Sequence, residues 1–485
     1  MTDYEPVIGL EVHAELLTHS KMFCACPVVD STEAEPNTAI CPVCTAQPGT
    51  LPVINRQAVE YAIMVGLALN CAINPFNQFA RKSYFYPDLP KGYQISQYEH
   101  PLASNGWLEI EAGGQTRRIG IRRAHLEEDT GKSFHRGSYS LVDLNRAGVP
   151  LLEIVSEPDM HSVEEVEAYA RKIRSILVYL GVNHGDMSKG VLRFEANISV
   201  RPAGSETLYT RTEIKNLNSI RSLVRASRHE IARQVAIHRQ GGEVVQQTLG
   251  FDEERGVTVP QRSKEHAHDY RYFPEPDLPP LRISHEWVET VRARLPELPD
   301  ARRERFIRTF GLPPPDAGVL VSDKAVADYY EAAVAAGGDP RAIANWVTGE
   351  LFRLMNAEGI EIGAVRVAPE GLADLIRLVD EGAITATTAK DVLAEMFTSG
   401  RAARAIVEEK GLAQISDAGA LAALVEQVIE ENPGPVQSYL GGKEGLLGWF
   451  VGQVMRETKG QANAQIVNKM FRQRLEARRD VGEGG

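Results

Sequence analysis

The octet GLEVHAEL (residues 9–16) alternates with period two. Ile8, Leu10, Val12 and Ala14 fall on one side and Glu11, His13 and Glu15 on the other, the pattern of a strand covered on one face. An edge strand with a wet outer face would satisfy it, but such a face usually mixes in Lys, Thr or Ser. This one carries only residue types that bind metals. The same reading predicts a helix over 56–70, and a hairpin of GWLEIEA and TRRIGIRRAHLEED joined at Gly113-Gly114. It also predicts a strand in VLRFEANISVRP. Over 162–180 the period becomes helical: Ser162 and Glu165 form a capping box, Val163, Val166, Ala170, Ile173, Leu177 and Leu180 an apolar stripe, and Gly181 a stop. A second helix, 219–239, places Arg221, Arg225, Arg228, Arg233 and Arg239 around a stripe of Ile220, Val224, Ile231 and Val235. Glu230 is its one acid, so this face is either solvated or turned to an anionic partner.

After FPEPDLPPL the texture changes. From about 290 to 400 the pattern is helical, with Pro-rich breaks such as GLPPPD and no clear strand. A further helical block begins near 405 and ends in a basic helix carrying Lys469, Arg472, Arg474, Arg478 and Arg479. The predicted class is α+β: a mixed α/β domain over 1–290, an all-helical domain over 291–403 and a small helical tail domain over 404–485. A chain of 485 residues fits about three domains. No basic, then apolar leader opens it, and GLLGWFVGQVM is too short and polar to cross a bilayer. A cytoplasmic protein without membrane association is expected. The net charge of −12 argues against general nucleic-acid binding and leaves room for a local basic surface.

Chemistry enters with the cysteines. Cys24 and Cys26 form C-x-C, Cys41 and Cys44 form CPVC, and a loop of 14 residues separates the pairs. That is the donor set of a structural four-thiolate zinc site, closed to substrate; unligated thiols are the alternative. Cys71 stands apart and reads as a small buried hydrophobe. Carboxylates recur at strand ends: Glu127, Glu128 and Asp129 in RAHLEEDTGKS, Glu153 in VPLLEIVSEPD, Glu213 beside Lys215 and Asn216 in YTRTEIKNLNS. GKS at 131–133 is not a P-loop, because the earlier glycine would fall at Leu126. Oxygen ligands with an imidazole suit Mg²⁺ or Mn²⁺, and Mg²⁺ commonly bridges carboxylates to nucleotide phosphates. The basic and aromatic stretches FARKSYFYPDLPKGYQISQYEH and HAHDYRYFPEPDLPPL would supply donors and stacking faces. In the second, His268, Tyr270 and Arg271 are the candidates for binding a nucleotide cofactor.

At these motifs the chain resembles a known family. IGLEVHAEL, FARKSYFYPDLPKGYQISQYEHPL, HLEEDTGKS, DLNRAGVPLLEIVSEPD, TRTEIKNLNS, HDYRYFPEPDLPPL and KGQAN are similar, essentially end to end, to the GatB component of the tRNA-dependent amidotransferase GatCAB. The resemblance implies a protein that uses ATP and Mg²⁺ to phosphorylate the side-chain carboxylate of Glu-tRNA(Gln) or Asp-tRNA(Asn). Ammonia freed by a separate glutaminase subunit then displaces the phosphate, and a small third subunit straps the other two together in a heterotrimer. It further implies a cradle domain holding this site, with helical and tail domains that bind tRNA. Carried over, His13, Glu127 and Glu153 are Mg²⁺ ligands, and Glu11, with Glu127 or Glu213, holds a second cation. Glu15 is left out. Lys82 and Lys91 resemble polar residues on the ammonia path, so Glu127, Lys82 and Lys91 are the candidate catalytic residues. The cysteine pattern fits the zinc-bearing members. Two other readings compete: a free-standing ATP-dependent carboxylate–amine ligase, and a zinc-stabilised RNA-binding or scaffold protein without chemistry.

Overall fold

The computed structural model describes residues 4–261, 270–413, 418–458 and 461–482. Contacts divide the chain into two units, Met1–Pro299 and Asp300–Gly485. The first is a sheet covered on one face by helices and the second is helical, so the expected α+β class is observed.

The sheet of the first unit has nine strands. Their spatial order is Val257–Pro260, Thr248–Asp252, Thr212–Leu217, Leu192–Pro202, Tyr4–Glu15, Pro150–Ser156, Gln115–Glu128, Ala103–Ala112 and Ala72–Ile73. All neighbours run antiparallel except Thr212–Leu217 with Thr248–Asp252. GLEVHAEL therefore lies in the fifth of nine strands, at the centre of the sheet and not at an edge. Ile8, Leu10, Val12 and Ala14 are fully buried in the main core. Helices Arg56–Ala68, Val163–Tyr179 and Ile220–Arg239 supply that core's other half. Because the helices take one face, the alternation leaves the acids on the other.

The Val163–Tyr179 helix behaves as its sequence reads. Every residue of the predicted stripe is buried, and Ser162 Oγ accepts from the Glu165 N–H. The Glu165 carboxylate reaches back one residue further than a capping box would, accepting from His161 N–H. The Ile220–Arg239 helix does not. Its predicted stripe is only half-buried, and Ser222, Leu223, Ala226, Ser227, Glu230 and Gln234 turn inward instead. That face is held by hydrogen bonds: Glu230 accepts from Thr212 and Thr258 hydroxyls, and Gln234 donates to the Ile198 carbonyl. Two of its arginines already have acids, Arg225 with Glu253 and Arg233 with Glu230.

The stretch FARKSYFYPDLPKGYQISQYEH is ordered structure, not a surface loop. Phe79–Ser83 and Tyr93–Gln97 pair as a hairpin, and Phe273–Pro274 adds on the far side of Phe79–Ser83. In the second unit, helices between Pro299 and Glu409 share one apolar core, and those from Ala418 onward share another built on Leu421, Val425, Phe450 and Phe471. No strand occurs among its described residues, as the pattern predicts. No helix of the described residues is long and apolar enough to cross a membrane.

Candidate active site and cysteine knuckle

The register of four central strands sets the candidate site. Residues opposite one another across antiparallel strands share a face. Arg123, Val155, Glu11 and Glu195 form one row; His125, Glu153, His13 and Arg193 form the next; Glu127, Leu151 and Glu15 form the third. Glu213 joins from the neighbouring strand, opposite Asn197. A chain that merely needed a wet face would not concentrate five acids and two imidazoles in three rows.

Within this lattice His125, Glu127 and Glu153 present ligand atoms within 4.8 Å of one another, all buried. His125 Nε2 lies 2.8 Å from Glu127 and 3.5 Å from Glu153. His13 Nε2 approaches Glu153 from the other side at 3.4 Å. Glu127 also accepts from Gln94 and Ser96. Burial works against charge on His13, but the adjacent Glu153 carboxylate overrides it and lifts the imidazole to about 9. Burial likewise opposes charge on Glu153, yet His125 and His13 hold it well below the usual carboxylate range.

A second group, Glu11, Glu195 and Glu213, also lies within 4.8 Å. It already has a cation: Lys215 Nζ sits 2.9 Å from Glu195 and 3.2 Å from Glu213. Glu11 accepts from Asn197, and burial with Glu153 and Glu195 raises its pKa. Glu15 belongs to neither group; burial and Asp129 push it up to about 8. Asp129 itself binds Arg193 at 2.7 Å.

Among the expected ligands, then, Glu127 and Glu153 come together with His13 against Glu153, and Glu11 meets Glu213. His125 and Glu195 are the two members that sequence reading missed. Period two would have found both: His125 is two residues before Glu127, and Glu195 alternates with Arg193 and Asn197. Lys82 lies over the Tyr270 ring, its Nζ 5.1 Å from the centroid, and Glu127 and Glu153 raise its pKa against the effect of burial. Lys91 Nζ donates to Glu128 at 2.5 Å, and the same carboxylate accepts from Ile95 N–H. The Tyr270 carbonyl accepts from Ser83 N–H, while Tyr272 stacks on Tyr98 at 4.1 Å. Arg271 takes a left-handed backbone, φ 44°. His268 lies outside the described residues.

Cys24, Cys26, Cys41 and Cys44 converge, their sulfurs within 4.8 Å of one another, with no disulfide. The first pair sits on a small hairpin closed by Lys21 N–H to the Cys26 carbonyl; the second sits on a turn closed by Thr45 N–H to the Cys41 carbonyl.

Comparison with known sequences decides the family. The profile of the GatB/GatE catalytic domain matches residues 6–289, and a GatB domain profile matches 328–475. The chain belongs to the GatB family. It is 56% identical over 477 residues to the B subunit of the aspartyl/glutamyl-tRNA(Asn/Gln) amidotransferase of Moorella thermoacetica, covering 98% of this chain and 100% of that one. Proteins of the same description from Carboxydothermus hydrogenoformans and Persephonella marina are 53% and 52% identical, each over 98% of this chain and 99% and 100% of theirs. The matched GatB catalytic region contains every residue of both acidic groups and the cysteine knuckle.

Proposed function

We propose that this chain is the amidating component of a tRNA-dependent amidotransferase that converts Glu-tRNA(Gln), Asp-tRNA(Asn) or both to Gln-tRNA(Gln) and Asn-tRNA(Asn). Full-length membership of the GatB family carries the reading, and the acidic lattice supports it chemically. A carboxylate is a poor acyl donor to ammonia. Transfer of the γ-phosphoryl group of ATP to a side-chain oxygen, releasing ADP, makes an acyl phosphate; ammonia adds to its carbonyl and inorganic phosphate leaves. Phosphoryl transfer needs positioning and charge neutralisation and no protein nucleophile, which suits a site built from carboxylates and imidazoles.

The donor set fits a hard divalent cation, since buried Glu127 and Glu153 share one small space with imidazoles. His13, Glu127 and Glu153 would hold Mg²⁺, and His125 would orient both carboxylates. Glu11 and Glu213 are the weaker pair, because Lys215 competes with a metal there. When bound, Mg²⁺ neutralises phosphate charge and aligns ATP with the acceptor. Tyr270 and Arg271, with His268, form the proposed ATP contact. Lys82, over the Tyr270 ring, and Lys91, paired with Glu128, would keep the ammonia approach polar. Cys24, Cys26, Cys41 and Cys44 would bind a structural zinc. The implied partners, in the cytoplasm, are two further chains: a glutaminase that supplies ammonia and a small strap that joins it to this one.

The test is amidation of both mischarged tRNAs by the chain co-expressed with its partners, with and without ATP and Mg²⁺. ATP-dependent Gln-tRNA or Asn-tRNA is the expected product. In Glu127→Gln and His13→Ala, amidation should vanish while glutamine hydrolysis persists. Wild-type amidation in either variant would remove the metal assignment.

A further inference from the structure

Lys21 is fully buried (0% exposed), and no carboxylate lies within ion-pair distance of it among the described residues. Its Nζ donates to the Leu144 carbonyl at 3.3 Å and points at Cys44 Sγ, 3.7 Å away. Glu128, the carboxylate across the turn at Gly148, is committed to Lys91 and Ile95 N–H. A buried ammonium without a counter-charge is costly. Neutral thiols do not supply that charge, but thiolates do, and a bound metal keeps cysteines deprotonated. Four thiolates around one divalent zinc in turn carry an excess of negative charge. The two anomalies answer each other.

We propose that Lys21 is the built-in counter-cation of a zinc–thiolate centre at Cys24, Cys26, Cys41 and Cys44, and that its ammonium sets how tightly the metal is held. This rests on the zinc reading above and goes beyond it by assigning a charge-balancing residue outside the ligand set. The position of Lys21 also ties the knuckle to the end of the strand Gln115–Glu128, which carries Glu127. Met22 N–H donates to the Gly148 carbonyl at 2.7 Å, and Gly148 N–H donates to the Asp129 carbonyl at 2.9 Å. Gly148 has φ +86°, and a Cβ there would stand 3.4 Å from Cys44 Cβ, 3.5 Å from Lys21 Cδ and 3.9 Å from the Glu128 carboxylate. The knuckle thus backs directly onto the turn at Gly148, across which lies Glu128 at the end of the strand Gln115–Glu128.

The experiment uses the full chain, assembled with its partners. Zinc is first counted in the wild type, and its affinity is then measured by competition with a chromophoric chelator in wild type, Lys21→Met and Lys21→Arg. Loss of an outer partner of this kind weakens metal binding by about 10–100-fold; Lys21→Met should show it, and Lys21→Arg should recover affinity by restoring the charge. Unchanged affinity in Lys21→Met, with zinc present in the wild type, overturns the role of Lys21 alone. A wild type without zinc overturns the zinc reading and this proposal together. Should Lys21→Met fail to fold, wild-type protein decides: acetylation by acetic anhydride, read by mass spectrometry, should spare Lys21 with zinc bound and reach it once zinc is stripped. Equal labelling in both states overturns the proposal.

Discussion

His125 is the residue on which the candidate site turns. Its ring spans Glu127 and Glu153, it is 2% exposed, and its Nδ1 has no partner among the described residues. Such a side chain acts by holding two carboxylates at a fixed separation, as groups behind metal ligands commonly do. His125→Ala should therefore raise the Mg²⁺ concentration needed for half-maximal amidation by about 10–100-fold, with glutamine hydrolysis unchanged. A Mg²⁺ titration of amidation checks it, and an unshifted titration would reduce His125 to packing. At this scale the sequence was partly legible. Ligand types on one face of GLEVHAEL pointed to the site because period two sorts faces without knowledge of neighbours. What it could not give was the row. Glu153 meets His13 and His125 only through the registers of three strands far apart in the chain, and register depends on long-range pairing. Glu195 was different: its strand was predicted and period two puts it on the face of Arg193 and Asn197, so the signal was present and went unread.

At the scale of elements, the Ile220–Arg239 helix shows where pattern reading fails. Its apolar residues suggested one buried face, but the face that packs inward carries Glu230 and Gln234 with small residues. The reason is energetic: buried polar groups are acceptable when fully bonded, and Glu230 accepts from Thr212, Thr258, Arg233 and Gln234. A hydrophobicity period has no means of seeing a bonded network. Burial opposes charge on the Glu230 carboxylate, but Arg233, Gln234 and Thr212 outweigh it and lower its pKa. Glu230→Ala strips a charged acceptor from all four donors, and should destabilise the first unit by about 3 kcal/mol or more. Denaturant unfolding followed by circular dichroism measures it; a loss below about 1 kcal/mol would mean that water replaces the carboxylate. A second element is fixed by close approach. At Gly106 a Cβ would stand 2.5 Å from the Leu69 carbonyl oxygen and would also strike Cys71. Backbone cannot yield as a side chain can, so Gly106→Ala should cost about 1–3 kcal/mol, and removing the Cys71 sulfur as well should not restore it.

For the molecule as a whole, charge decides between an enzyme acting on tRNA and a ligase for a small carboxylate. A net charge of −12 repels RNA unless basic groups are gathered somewhere. The sequence gathers them in the Ala464–Gly482 helix, where Lys469, Arg472, Arg474 and Arg478 lie. The structure moderates that reading: Arg474 and Arg478 both pair with Glu426. Exposed ion pairs of this kind are worth under about 1 kcal/mol, so a phosphate can compete for both arginines. Both acidic groups and the knuckle lie in the first unit, whose core is its own. Deleting residues from 418 onward, which removes the last core and leaves the one before it whole, should therefore leave ATP and Mg²⁺ binding intact and raise KM for aminoacyl-tRNA by about tenfold or more, while flattening its dependence on salt. Steady-state amidation at two ionic strengths measures both. A truncated chain that keeps its KM and its salt dependence would show that this helix carries no RNA phosphate, and it would bring the small-molecule ligase forward as the activity of the acidic lattice.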